Sequence, residues 1–345
     1  MKLVVYMRTA KTRRWLARAP VPRGGRYQFY TAGLSLLLGL ASVVLAANDQ
    51  GRAESEGKKQ GIRARINSII VGPKDEPFDM PSDAAVGQDD NLYVLDGVHN
   101  RVIVFDADGN FRFKFGDPGS GVGQFHFPLG ITTAPDGKVY IADSGNHRFQ
   151  VFSADGKPLE SVQLPTDTSG VPPDPTDVAV DPNRSRLYVI DNNNHRLHVY
   201  NNSNHSFEEV WGGPGQGQRQ FRFPFLIDVT SRGYVLVVEP INTRVQVLNP
   251  DGKFVGFIGA WGVKPGQLFR PKGVAVFGDI VFVTDSYLGQ IQVFEFSGNF
   301  LGMLCDTNGV PIQFTTPTGI AIDMKLRRLY VVELKANRVC RVDLE

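Results

Sequence analysis

Residues 128–164, PLGITTAPDGKVYIADSGNHRFQVFSADGKPLESVQL, alternate short β-branched or aromatic runs with polar turns. The apolar runs at 130–133, 139–143, 149–152 and 159–164 are separated by Pro-Asp-Gly, Ser-Gly-Asn-His and Ala-Asp-Gly. Those turn signals between partly alternating strands predict a four-stranded, up-and-down antiparallel sheet. One sheet of this size cannot bury both of its faces, so it needs neighbours of its own kind.

The chain supplies them. Prolines recur at Pro81, Pro128, Pro175, Pro224, Pro271 and Pro317, with separations of 47, 47, 49, 47 and 46 residues. Four strands repeated at such a period predict an all-β, six-bladed propeller over residues 64–345. Each proline is followed by an acid that closes the second strand: Asp96, Asp143, Asp191, Glu239, Asp285 or Glu333. Five residues later stands Arg101, Arg148, Arg196, Arg244, Gln290 or Arg338. This spacing places acid and arginine across the hairpin between strands two and three, where the carboxylate can take turn amides and the guanidinium. Read as exposed pairs, they contribute about 0–1 kcal/mol each and set hairpin geometry. Blade five departs from the pattern, because Asp285 faces Gln290 and lacks its cation.

Asn146-His147-Arg148 and Asn194-His195-Arg196, within DSGNHRFQVF and DNNNHRLHVY, resemble the NHL repeat. The other blades carry degenerate versions: VHNRVIVF, INTRVQVL, YLGQIQVF and KANRVCRV. The resemblance implies the propeller fold and no single activity. Outer strands are expected at 111–115, 159–164, 207–211, 254–258 and 300–304, but none follows residues 338–344. The one unassigned strand-like run is RINSIIV at 65–71. Residues 64–72 are therefore expected to pair with the last blade and protect its edge.

Ahead of the propeller, residues 28–48 carry no charge, while residues 1–27 hold eight Lys or Arg and no acid. That arrangement predicts a basic cytoplasmic lead (1–27) and a transmembrane signal anchor or signal peptide helix (28–48). A polar flexible linker (49–63) follows. The propeller then lies outside the cytoplasm, periplasmic or extracellular, on a single-pass anchor, or is secreted after cleavage behind Ala46. Without residues 1–27 the chain has 29 Lys and Arg against 35 Asp and Glu, a net charge of −6. That balance argues against a nucleic-acid partner. The two cysteines, Cys305 and Cys340, have no zinc-ligand spacing and are expected as buried free thiols.

Candidate chemistry lies where blades differ. Two residues past the prolines stand Asp83 and Asp177, and blade four offers Asp228 two positions further on. First strands surround a propeller's channel, so these three carboxylates form a candidate metal site, with Ca²⁺ the ion their oxygen chemistry suits. Calcium-dependent six-bladed lactonases work in this way, although their glutamate and paired asparagines have no clear counterparts here. His99, His147 and His195 fall in or beside the repeat's own hairpin motif, which accounts for them without zinc. The glycine-rich stretches 116–125 and 212–221 lack the Lys-Ser/Thr ending of a phosphate loop and read as inter-blade connectors. Phe125, Phe127, Phe221, Phe223 and Phe269 are expected to fill the seams between blades, with Trp211 and Trp261 nearby. Arg219, Arg222, Arg270 and Lys272 form a basic cluster interleaved with Phe223, Phe225 and Phe269. Some NHL propellers bind RNA on such a face; here export and the acidic body favour an anionic glycan, peptide or protein loop.

No coherent catalytic set and no required cofactor emerge. The expected role is a membrane-tethered, non-catalytic scaffold that binds a protein or other macromolecular partner at the membrane surface. Its candidate binding residues are Asp83, Asp177, Asp228, Arg222, Arg270, Lys272 and Asp285. The alternative is an extracytoplasmic metal-dependent lyase or lactonase built on the channel carboxylates.

Overall fold

The computed structural model describes residues 61–166, 170–181 and 183–345. The basic lead, the charge-free segment 28–48 and most of the expected linker lie outside the described residues. No helix among the described residues is long and apolar enough to cross a membrane.

Six four-stranded antiparallel blades succeed one another; blades one to five run outward from their first strand in sequence order, and blade six takes its outermost strand from the other end of the propeller sequence. Blade two is typical, with strands Pro128–Thr133, Val139–Asp143, Arg148–Phe152 and Pro158–Gln163. The first strands touch in a closed cycle from blade one to blade six and back to one, so they line a central channel. Middle strands such as Leu92–Asp96 and Val139–Asp143 are buried at every position, because both faces meet a neighbouring blade. Their continuous apolar sequence follows from that double burial. Outer strands such as Phe111–Phe115 are covered less and carry charges between their aromatic residues. Six apolar clusters fill the seams; Tyr93, Phe125, Ile141 and Phe152 join blades one and two, and Tyr188, Trp211, Phe221 and Val237 join blades three and four.

Tight turns stand where the sequence marks them. In Ala134-Pro135-Asp136-Gly137, the Gly137 amide donates to the Ala134 carbonyl at 3.0 Å. Gly137 itself takes φ +83°, a conformation a side chain would oppose.

The closing strand is Ile62–Ile70. It pairs antiparallel with Arg338–Leu344 of blade six, Ala64 opposite Leu344 and Ile70 opposite Val339, with a bulge between Ile66 and Ser68. It begins two residues earlier than the sequence suggests, so Ile62 and Arg63 belong to the sheet and not to the linker. These two pair in parallel with Leu304 and Cys305 of blade five. One strand thus stitches the last two blades into a continuous eight-stranded sheet. Cys305 and Cys340 are buried free thiols, as expected.

Candidate functional site

The acid and arginine of each repeat meet as the spacing predicts, but not on the surface. All six acids are fully buried. Asp143 Oδ2 accepts from Arg148 Nε at 2.8 Å, and Oδ1 accepts from the His126 amide at 2.8 Å. Arg148, 4% exposed, donates its remaining N–H groups to the carbonyls of Ser120, Gly121 and Gln124. Each pair therefore clamps the connector entering its own blade, which covers the hairpin and removes it from water. Gln150, Gln246 and Gln292, two residues after the arginine position, complete the clamp by bonding the same connectors. Asp285 manages without a cation by accepting four backbone amides, from Phe269, Arg270, Tyr287 and Leu288. That arrangement engages both of its oxygens within the fold.

Removing one partner of a buried pair strands the other. Asp143→Ala is accordingly expected to destabilise the fold by about 3 kcal/mol, or roughly 6–10 °C in a thermal melt. Lys157→Ala, at an exposed pair with Asp155, should leave the melt nearly unchanged. Equal effects in the two variants would refute the clamp.

Asp83, Asp177 and Asp228 do converge on the channel, where they line one cavity of about 190 Å³. Asp83 and Asp177 are buried; Asp228 is half-buried. Each reaches into the next blade: Asp83 Oδ2 accepts from the Ile131 amide at 3.1 Å, Asp177 Oδ2 from Ile227 at 2.8 Å, and Asp228 Oδ2 from Val276 at 2.9 Å. Glycines make room for them, since an added Cβ at Gly130 or Gly319 would collide with the Oδ1 of Asp177 or Asp83. Burial pushes Asp83 and Asp228 up to about 7, and it raises Asp177 well above the ordinary carboxylate range, with Asp83 adding to the effect. Among the described residues no three His, Cys, Asp or Glu side chains are grouped to hold a metal ion. Each member of the trio ties its own blade to the next through a main-chain amide.

The end of the disc where first strands begin and second strands finish carries a different population. Met80, Phe127 and Phe223 immediately precede the blade prolines and take φ +51°, +49° and +47°, although a residue before proline favours extended backbone and a bulky one resists positive φ. The preceding blade explains it. Asn337 Oδ1 accepts from the Met80 amide, Asn100 Oδ1 from Phe127, and His195 Nδ1 from Phe223, at 2.9, 2.7 and 3.1 Å. Their side chains are turned outward and are 44%, 56% and 47% exposed. Ile241 and Tyr287, on the hairpins of blades four and five, are also exposed.

Placement of the basic cluster is mixed. Arg219 lies in the connector before blade four, its amide held by Gln246. Arg222 and Arg270 are both exposed and Lys272 is half-buried, with its Nζ 3.9 Å from the centre of the Phe225 ring. Burial, then Arg270, pulls the Lys272 amine below its usual range. Of the expected seam aromatics, Phe125, Phe221 and Trp211 are buried, whereas Phe127, Phe223 and Trp261 are exposed. Trp261 replaces the connector prolines Pro118 and Pro214 on an outward-facing turn. The apolar-Pro pair opening blades one, two and four is the sequence signal that could have revealed the exposed residues.

A sequence family described as a six-bladed β-propeller matches residues 84–181, and the NHL repeat matches residues 173–200. Protein brain tumor of Drosophila melanogaster is 32% identical over 132 residues, covering 37% of this chain and 12% of that protein. The chain therefore matches about an eighth of that relative's length. Among solved structures, a streptogramin B lyase superposes with a TM-score of 0.59 at 12% identity, covering 81% of this chain and 97% of the other. An auxiliary nutrient binding protein from Bacteroides ovatus gives 0.59 at 14% identity, covering 83% and 76%. At these identities the likeness is one of fold.

Proposed function

We propose that this NHL-repeat six-bladed β-propeller is a non-catalytic scaffold that binds a protein partner on its loop-bearing end, held outside the cytoplasm by residues 28–48. The observation that carries this reading is the set of outward-turned Met80, Phe127 and Phe223, each held in an unfavourable backbone conformation by a neighbouring blade. Backbone strain persists where the surrounding structure enforces it, and such positions cluster at functional sites. Exposed apolar side chains beside unpaired cations are the composition of a docking face. The charge-free run behind a basic lead supports the tether. The match to Protein brain tumor, together with the NHL-repeat match, fits a partner-binding role.

The lyase or lactonase alternative would draw on Asp83, Asp177 and Asp228. Their commitment to amides of neighbouring blades weighs against it.

The test is comparative capture by cross-linking from membranes, using the full chain and the variants Met80→Asp, Phe127→Asp and Phe223→Asp. Asp tolerates positive φ, and exposed substitutions of this kind shift stability by about 0.5 kcal/mol or less. A partner recovered with the parent chain should fall at least about tenfold with these variants. Recovery of the same proteins by all of them, together with turnover of a lactone or peptide, would reverse the assignment. Protease given access to the non-cytoplasmic face of the membrane, with any outer envelope removed, should digest the propeller; protection until that membrane is lysed would sink the tether orientation.

A further inference from the structure

The apolar and cationic residues of the loop-bearing end are not spread evenly around it. They concentrate between blades three and five, where a pocket of about 280 Å³ is lined by Leu129, Asp174, Phe223, Phe225, Ile241 and Lys272 among others. Arg222 stands close enough to His195 to depress its imidazole, after burial, and the His195 ring meets Phe223 edge-on at 4.5 Å. Arg270 adjoins Lys272 on the other side.

We propose that this pocket binds an acidic segment of the partner protein, seating one apolar side chain against Phe223, Phe225 and Ile241 while flanking carboxylates meet Arg222, Arg270 and Lys272. The proposal rests on the scaffold reading above and specifies its ligand.

Charge complementarity carries it. Among the described residues the arginines of the repeat are neutralised within their own hairpins, as at Arg101, Arg148 and Arg244. Arg222, Arg270 and Lys272 have no such carboxylate partner. The acids closest to them in sequence pattern, Asp191, Glu239 and Asp285, are buried and directed at turn amides. Asp174 is the one carboxylate lining the pocket, and it already accepts the Ser144 hydroxyl. One cation, Lys272, therefore lines a cavity that holds one engaged acid, with Arg270 next to Lys272 and Arg222 next to His195 outside it. The half-buried Lys272 ammonium lacks a counter-charge, which an incoming carboxylate would supply.

The same geometry disfavours a nucleic acid. Stacking platforms need open aromatic faces, but the Phe225 face is capped by Lys272. Past residue 27 the chain carries more acid than base, and a backbone-tracking groove needs the opposite surplus. A pocket of side-chain size with a charged rim instead fits a single anchor residue in a charged peptide.

Fluorescence anisotropy of the purified full chain tests this with a labelled heptapeptide in which Leu-Phe is flanked by Glu and Asp on both sides. Binding should weaken at least about tenfold when Leu-Phe becomes Ala-Ala or when the acids become Lys. Lys272→Ala combined with Arg270→Ala should cost at least about tenfold, with an unchanged melt, while Lys157→Ala, at an exposed pair away from this face, leaves the affinity within about twofold. Affinity should also fall between about 50 and 300 mM salt. Absence of binding, equal binding of the Ala-Ala peptide, or tighter binding of a labelled single-stranded oligoribonucleotide would each overturn the proposal. Partner capture that depends on Met80, Phe127 and Phe223 without peptide binding would overturn only this inference; capture indifferent to all three would overturn the scaffold reading itself.

Discussion

Deletion of residues 61–71 from the full chain is expected to yield a protein that aggregates and loses its cooperative melt. Ile62–Ile70 is the fourth strand of blade six and the lateral partner of blade five. Ala64 is fully buried in the cluster shared by blades five and six, and Ile70 is buried in the cluster shared by blades six and one. Without them the strand Arg338–Leu344 presents an unpaired edge beside Val339, Cys340 and Val342, which are all fully buried in the intact fold. Open apolar edges of this kind recruit other chains. The Glu345 amide also loses the Arg63 carbonyl. Light scattering and circular dichroism would detect the change, and a synthetic peptide covering residues 61–72 added in trans should restore solubility. A soluble monomeric deletion with the parent's two-state melt would disprove the clasp.

Stability should decline as pH rises from about 5 to 8, the reverse of the trend set by ordinary paired carboxylates. Burial raises Asp83 and Asp228 to about 7 from 3.8 and lifts Asp177 in the same direction. Between those limits the folded chain keeps protons that the unfolded chain has released, so each pH step upward favours unfolding. A displacement of that size amounts to about 4 kcal/mol for one group. Glu239, raised by burial against the pull of Arg244, adds to the same slope. The opposing limb comes from carboxyls held below their usual range, including Asp191, where the His198 bond and its neighbours outweigh burial, and Glu333, where Arg338 and its neighbours do so. Their contribution is present above the unfolded values and is lost in stronger acid. Maximum stability is therefore expected at roughly pH 4–5. Asp228→Asn keeps an acceptor for the Val276 amide and cannot ionise, so it should flatten the decline and raise stability at pH 8. Denaturant midpoints at pH 5 and 8 for the two proteins measure this directly; parallel pH curves would exclude the channel acids as its source.

Much of the architecture can be read before folding. The prolines, acids and arginines keep one register because each belongs to a local hairpin whose spacing is short-range. The closing strand is legible by subtraction, since blade six lacks an outer run and residues 65–71 lack a sheet. Its parallel contact through Ile62 and Arg63 is not legible, because two residues carry no periodicity. Burial of Asp143 is equally hidden, for it depends on a connector some twenty residues upstream folding across the hairpin. The channel acids can be located from the repeat, but their partners are main-chain amides of the next blade, which no side-chain pattern announces. Phe127 and Phe223 defy sequence reading for a sharper reason. Local rules send a bulky residue before proline into extended backbone, and an amide captured by Asn100 or His195 of another blade overrides them.

The closing strand also governs how the disc would bear mechanical load. Tension entering at Ile62 along the strand axis meets a strand running antiparallel to Arg338–Leu344, whose own attachment to the blade lies at the opposite end. The register pairs from Ala64 to Ile70 are then strained together in shear and do not separate sequentially. A force along the strand is shared across the whole ladder, while a force perpendicular to it would peel the ring open from Ile62.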